Sequence, residues 1–405
     1  MREIKLLYIS PDSNSNKFYN MTELGNGNFK AEWGRVGSKG STIEYPMRDW
    51  DDKLREKKRK GYNDVTTDNK VVRIGDTKGL ESLNPKVKDL LERLNKHAKE
   101  AFKLNYTVEI QDVSEVLVHR AQDIIDDINK DVNNSPNYHT INSKLLKLYN
   151  TIPRKIKNVR ESLVPGPIDN DDMLSKVKDK MAIEQGLIDV IKGQLNNAKP
   201  VDATDPNNSK VLSFLDQLGL DIEEVTPQEE TMLKDMMTDS SSKYITAYKV
   251  TNFKTQKAFD EDLAKSKNKK TTLLFHGSRS ENWLNIVKHG LVLHPDAVTS
   301  GKLFDNGIYF ADIADKSLGY ISGGRWNSGN KDSDNWLAVY DVHTGKQCTY
   351  KDLKGQHVNL AKFVPDNNYD SYWAKRDIEG RYSLRRDEFI VYEESKATIK
   401  YLIHI

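Results

Sequence analysis

One cysteine, Cys348, stands in a chain of 405 residues. A single thiol excludes an intramolecular disulfide, and a cysteine-built zinc site has no ligands to draw on. The nine histidines are scattered without the short spacings of metal ligands, so no metal is expected. Long hydrophobic runs are also missing. None approaches the roughly 20 residues that a membrane span requires, and the opening MREIKLLYISPDS lacks the apolar core of a signal peptide. A soluble intracellular protein with no membrane partner is expected. Charge of one sign is not in excess either: 62 Lys and Arg face 60 Asp and Glu, a net +2. That balance excludes a general polycation and confines any nucleic-acid contact to a local patch. No G-x-G-x-x-G follows a strand, and neither a P-loop nor H-E-x-x-H occurs, so Rossmann-type dinucleotide binding and the common phosphate and zinc-protease motifs are absent.

What is present divides into segments of different texture, and the length calls for more than one core. Residues 1–70 alternate strand-like runs (IKLLYIS, KFYNMTEL, FKAEWGRVGSKG) with Asn/Gly/Ser turns, the pattern of a small antiparallel sheet. MRDWDDKLREKKRKG then changes to helical spacing. Its basic run, Arg55 to Lys60, reads first as a solvated helix face, with a phosphate-facing patch as the alternative. Residues 71–82 read as a linker. From Asn84-Pro85, an N-cap followed by proline at the first helical position, residues 84–198 show repeated i, i+3, i+4, i+7 apolar spacing and predict a helical bundle. A Pro- and Asn-rich boundary follows. Residues 205–405 return to strands and loops (YITAYKVTNF, TTLLFHG, NGIYFAD, WLAVYDVH, DEFIVYEESKATIKYLIHI), with helices expected mostly in the first part. The class is multidomain α+β.

Three stretches of the last segment carry candidate chemistry. LLFHGSR ends an apolar strand on His276, which can hydrogen-bond a ligand hydroxyl, and continues with Gly277, beside which a ligand can reach bare backbone. GIYFADIADKSLGY places Tyr309 and Tyr320 around Ser317, and two phenol rings can sandwich a flat ring. RRDEFIVY sets Glu388 just before an apolar strand, where a carboxylate can act on a sugar hydroxyl. Singly, each of these residues also has a plain structural reading.

Together and in this order, LLFHGSRSENWLNIVKHGL, GKLFDNGIYFADIADKSLGY and DEFIVYEESKATIKYL resemble the catalytic domain of the poly(ADP-ribose) polymerases. AEWGRVGSKG resembles the WGR domain, and KLLKLYNTIPRK with the helix after it resembles the helical regulatory domain of the DNA-dependent members, in particular the short ones without zinc fingers. The resemblance implies a WGR domain over 1–75, an autoinhibitory helical domain over 84–198 and a mixed α/β ADP-ribosyltransferase domain over 205–405. It implies that NAD+ is the substrate, with nicotinamide released and ADP-ribose attached to the protein itself and to other acceptors. It assigns Glu388 as the catalytic carboxylate, with His276 and Tyr309 completing a His-Tyr-Glu set. Gly277 and Ser317 hold the carboxamide, Tyr309 and Tyr320 flank the nicotinamide, and Ser278 and Asn282 lie along the adenosine half. DNA breaks or ends are the implied activator, met by Trp33, Arg35 and Lys39, although Trp33 also reads as the core residue of its small domain. A nuclear monomer is expected, cytoplasmic if the source is prokaryotic or viral.

The sequence departs from the polymerizing members at Asn306, where Lys is usual, at Arg386, where an aromatic residue is typical, and at Val292, often Arg. It ends without the tail that docks an accessory factor for serine modification. Two alternatives stand beside polymer formation: transfer of single ADP-ribose units, and a catalytically weak DNA-end-binding adaptor.

Overall fold

The computed structural model describes residues 2–66, 83–110, 113–195, 214–294, 303–322, 334–376 and 384–405. The expected linker and the polar boundary near residue 200 lie outside the described residues. The described residues fall into two units: one contains 2–66 and 99–195, the other 83–98 and everything from 214 onward.

The first unit begins with an antiparallel meander. Strands β1 (Glu3–Ser10), β2 (Ser15–Glu23), β3 (Asn28–Arg35) and β4 (Ser41–Pro46) pair in sequence. Helix α1 (Trp50–Arg59) follows, and β5 (Asn63–Asp64) returns to β1. Period-2 alternation puts Leu6, Tyr19, Met21, Phe29 and Ala31 on one face. There they pack with Trp50 from α1, which stands edge-on to Phe29 at 5.0 Å.

Helices α2 (Pro85–Asn105), α3 (Glu115–Asn134), α4 (Tyr138–Thr151) and α5 (Asp171–Gln194) follow the predicted spans closely. Their starts are set by side-chain caps. Asn84 Oδ1 accepts from the Lys86 amide, Ser114 Oγ from Leu117, and Asn137 and Asn170 cap α4 and α5. The core they share includes Ile125, Ile128, Ile141, Leu145 and Ile191. It also encloses an ion pair, Arg154 to Glu184 at 3.4 Å, with the Tyr149 hydroxyl on the same carboxylate oxygen. Helix α2 belongs to both units, since its residues up to Ala98 group with the second.

The second unit contains α6 (Phe214–Leu218), β6 (Leu220–Glu224), α7 (Pro227–Met237), β7 (Thr246–Asn252), α8 (Phe253–Lys265), β8 (Thr271–Gly277), α9 (Trp283–His289), β9 (Ile308–Phe310) and α10 (Ala314–Leu318). It continues with β10 (Trp336–His343), β11 (Gln347–Cys348), α11 (Leu360–Asp366), β12 (Ser371–Ala374), β13 (Glu388–Val391) and β14 (Ala397–His404). One sheet runs β6-β7-β14-β10-β8, the other β11-β12-β13-β9. All pairs are antiparallel except β11 with β12. Between the sheets, Phe275 of β8 and Ala311 exchange both backbone hydrogen bonds, at 2.7 and 3.0 Å.

The expectation that helices cluster in the first part of this unit is corrected by α8, α9 and α11. Helix α8 is a surface helix with one buried side chain, Phe259, so its apolar stripe is too thin to read from sequence. Its start is nonetheless capped, by Asn252 Oδ1 accepting from Lys254 and Thr255.

Candidate active site

The predicted strand TTLLFHG is β8, residue for residue, and it carries His276 to the junction of the two sheets. The ring sits against Trp283, Phe310 and Tyr340, with centroids at 6.4, 5.8 and 6.0 Å. Its Nδ1 lies 3.0 Å from the carbonyl oxygen of Tyr309. A carbonyl only accepts, so Nδ1 donates that bond.

Gly277 is required more strictly than the sequence suggests. A Cβ on it would fall 2.0 Å from the backbone oxygen of Ser317. Two chain segments approach there more closely than any side chain permits, and the approach brings Gly277 against α10. Ser317 is buried on that helix, and the Tyr320 amide donates to the Ser317 carbonyl at 3.0 Å. The Tyr320 side chain is 40% exposed, a half-open ring at the edge of the cluster. On the other side of Gly277, the Asn282 amide donates to Ser278 Oγ at 3.0 Å, while the Ser280 amide donates to Ser322 Oγ.

Glu388 opens β13 and is 6% exposed. Its Oε1 lies 2.5 Å from Lys316 Nζ. Sequence reasoning missed Lys316. The available signal was its place directly before Ser317, on a short helix at the cluster. Burial first, then the Glu388 charge, push the Tyr320 phenol above its ordinary value. Burial and the same carboxylate raise Tyr309 as well, so both rings stay neutral at any physiological pH. The Tyr309 hydroxyl donates to the Asp305 carbonyl at 2.8 Å and accepts from the Phe304 amide at 3.0 Å. His276, Gly277, Tyr309, Ser317, Tyr320 and Glu388 thus converge, with Lys316 added.

The residues expected to meet DNA lie in the first unit. Trp50 fills the small domain's core at 1% exposure, whereas Trp33 is 37% exposed and stacks on Tyr19 at 6.2 Å. Lys39 is exposed in the turn between β3 and β4. Arg35 is engaged within the chain: its guanidinium donates to the carbonyls of Asn14 and Lys157 at 2.9 and 2.5 Å. The basic run on α1 is laced to neighbouring acids, Arg55 to Asp52, Lys60 to Glu56 and Lys58 to Asp64, and Lys57 lies 4.0 Å above the Tyr19 ring. This fits the solvated-face reading. Among the departures, Asn306 donates to the His294 carbonyl, Arg386 lies 4.0 Å from Asp315, and Val292 is exposed. Among the described residues, no cluster of three or more His, Cys, Asp or Glu is placed to hold a metal, and no helix is long and apolar enough to cross a membrane.

A strand-end histidine, a glycine pressed against α10, two tyrosines and a buried glutamate paired with lysine are thus gathered at one candidate site. Residues 228–405 match the family profile described as poly(ADP-ribose) polymerase catalytic domain. The chain is 33% identical over 164 residues to a "Putative poly [ADP-ribose] polymerase-like 100L" of Invertebrate iridescent virus 6, covering 39% of this chain and 83% of that protein. It is 30% identical over 191 residues to the "Uncharacterized protein 101L" of the same virus, covering 47% of this chain and 76% of that one. With "Poly [ADP-ribose] polymerase 2" of Homo sapiens it shares 25% over 238 residues, 54% of this chain but 40% of the human protein. The chain therefore belongs to the poly(ADP-ribose) polymerase family. It is an NAD+ ADP-ribosyltransferase, and NAD+ is its substrate.

Proposed function

We propose that this transferase is switched on by DNA breaks or ends and that it builds poly(ADP-ribose) on itself and on acceptor proteins. The observation that carries DNA activation is Trp33. An indole left partly exposed, while a second tryptophan fills the core, is a surface made to stack. Lys39 beside it supplies a phosphate contact. Arg35 acts differently on this reading: it ties the sheet to the loop that follows α4. We place the protein in the nucleus, or in the cytoplasm if its source is viral, as two of its relatives are.

In the pocket, the carboxamide of NAD+ meets the Gly277 backbone and the Ser317 hydroxyl, and the nicotinamide lies between Tyr309 and Tyr320. His276 hydrogen-bonds a hydroxyl of the adjoining ribose, and Ser278 and Asn282 line the adenosine half. As nicotinamide leaves, positive charge grows on the anomeric carbon, and the Glu388 carboxylate stabilises it and polarises the incoming hydroxyl. Lys316 holds that carboxylate in place. The Glu388–Lys316 pair also argues against a dead adaptor. Single-unit transfer is the second reading, supported by Asn306 and Arg386 on the acceptor side.

Nicotinamide release from NAD+ with and without nicked DNA tests the proposal. The rate is expected to rise with DNA, and Trp33→Ala is expected to lose most of the rise. A rise of equal size in Trp33→Ala would remove Trp33 from the interface. The modified protein should run as a ladder on a gel, whereas one sharp shift would favour single-unit transfer. Residues 84–198 act as an inhibitory lid on this reading. Leu145→Ala empties part of the bundle core at a cost of about 2–5 kcal/mol, and the DNA-independent rate should rise. An unchanged basal rate at clearly lower bundle stability would count against the lid.

A further inference from the structure

We propose that Asp305 is a positioning residue for the nicotinamide wall, holding the Tyr309 ring from the loop before β9. Asp305 is a non-glycine residue in the left-handed region, at φ 59°. Such a conformation is unfavourable for most side chains and tolerated best by Asn and Asp. Here it turns the Asp305 carbonyl inward, where it accepts from the Tyr309 hydroxyl at 2.8 Å and from the Gly307 amide at 3.0 Å. The carboxylate holds the turn from outside, Oδ2 accepting from the Leu360 amide at the start of α11 at 2.5 Å.

The neighbours complete the clasp. The Phe304 amide donates to the Tyr309 hydroxyl at 3.0 Å, and the Phe304 carbonyl accepts from Tyr392 at 2.8 Å. The loop is pressed onto β13, for a Cβ on Gly307 would fall 2.3 Å from Ile390 Cγ2. A phenol has one proton to give, and Tyr309 gives it to Asp305. The Tyr309 hydroxyl is thus committed to the chain, and the residue offers substrate its ring face alone. The orientation of that face follows the Asp305 turn.

This inference rests on the reading that Tyr309 flanks the nicotinamide, and the test separates the two. Nicotinamide affinity by calorimetry, KM for NAD+ and Tm are measured on the full chain. Asp305→Ala loses the carboxylate bond and disfavours the turn. It should weaken nicotinamide binding and raise KM about tenfold, the equivalent of roughly one lost hydrogen bond. Asp305→Asn, which keeps an acceptor oxygen and tolerates the turn, should restore both. Tyr309→Phe, which keeps the ring and removes the hydroxyl, should match Asp305→Ala, and the double variant should lose little more. If Asp305→Ala does not fold, Asp305→Gly, with the backbone relaxed and the carboxylate gone, carries the comparison against Asp305→Asn. A lower Tm with unchanged KM and nicotinamide affinity would overturn the proposal, as would fully additive losses in the double variant. Unaltered nicotinamide affinity in Tyr309→Ala would overturn the pocket reading itself, and the proposal with it.

Discussion

Glu388→Gln is expected to lower transferase activity by about 10²–10⁴-fold while NAD+ still binds. The substitution keeps the shape, removes the charge and exchanges one acceptor oxygen for an NH2 donor. Glu388 is buried and its oxygen is 2.5 Å from Lys316 Nζ. In the variant, the Lys316 ammonium loses its counter-charge, and on the proposed reading it then stands beside the reacting ribose. The developing positive charge then meets a cation instead of a carboxylate. Two effects must be separated, because leaving one partner of a buried pair alone also destabilises the fold. Lys316→Met added to Glu388→Gln removes the orphaned cation and should recover stability without recovering activity. Calorimetric NAD+ binding, Tm and automodification measure the three quantities. Near-normal automodification by Glu388→Gln would sink the catalytic assignment.

Gly277→Ala should be nearly as damaging, from the addition of one methyl group. The new Cβ would lie 2.0 Å from the Ser317 backbone oxygen. Neither group is the tip of a flexible side chain, so β8 or α10 must move by about an ångström or more. Both segments hold the carboxamide on the reading above, and displacement on that scale can cost on the order of 10²-fold in rate. Ser317→Gly would leave the carbonyl in place and so is not expected to rescue the variant. Shortening the residue does not clear a backbone clash. Activity and nicotinamide affinity should fall together. An active Gly277→Ala enzyme with normal nicotinamide affinity would show that the two segments do not form the carboxamide site.

Much of this was legible in the sequence where the signal is local. The strand TTLLFHG centres on the apolar run Leu273 to Phe275 and stops at glycine, and β8 has those bounds. The bundle helices announce themselves by caps at Asn84 and Ser114 and by wide apolar stripes. The family was readable because three specific stretches occur in one order. What stayed hidden depends on residues far apart in the chain. Lys316 looks like a surface lysine on a short helix until Glu388, 72 residues later by subtraction of their positions, is folded against it. Asp305 looks like any loop aspartate until Tyr309 and Leu360 both bond to it. Arg35 reads as a phosphate ligand from its motif, and only the fold shows its fork closed on two carbonyls. Gly277 was singled out for bare backbone, and the fold adds a second reason in the carbonyl of Ser317.

The bridge between Phe275 and Ala311 has a kinetic meaning as well as a geometric one. Two backbone hydrogen bonds join the edge strand that carries His276 to the segment just after Tyr309. Solvent deuterium can replace those two amide protons only when that seam parts. The exchange times of Phe275 and Ala311 are therefore an intrinsic clock for opening between the walls that carry His276 and Tyr309, readable without any ligand or label in the site.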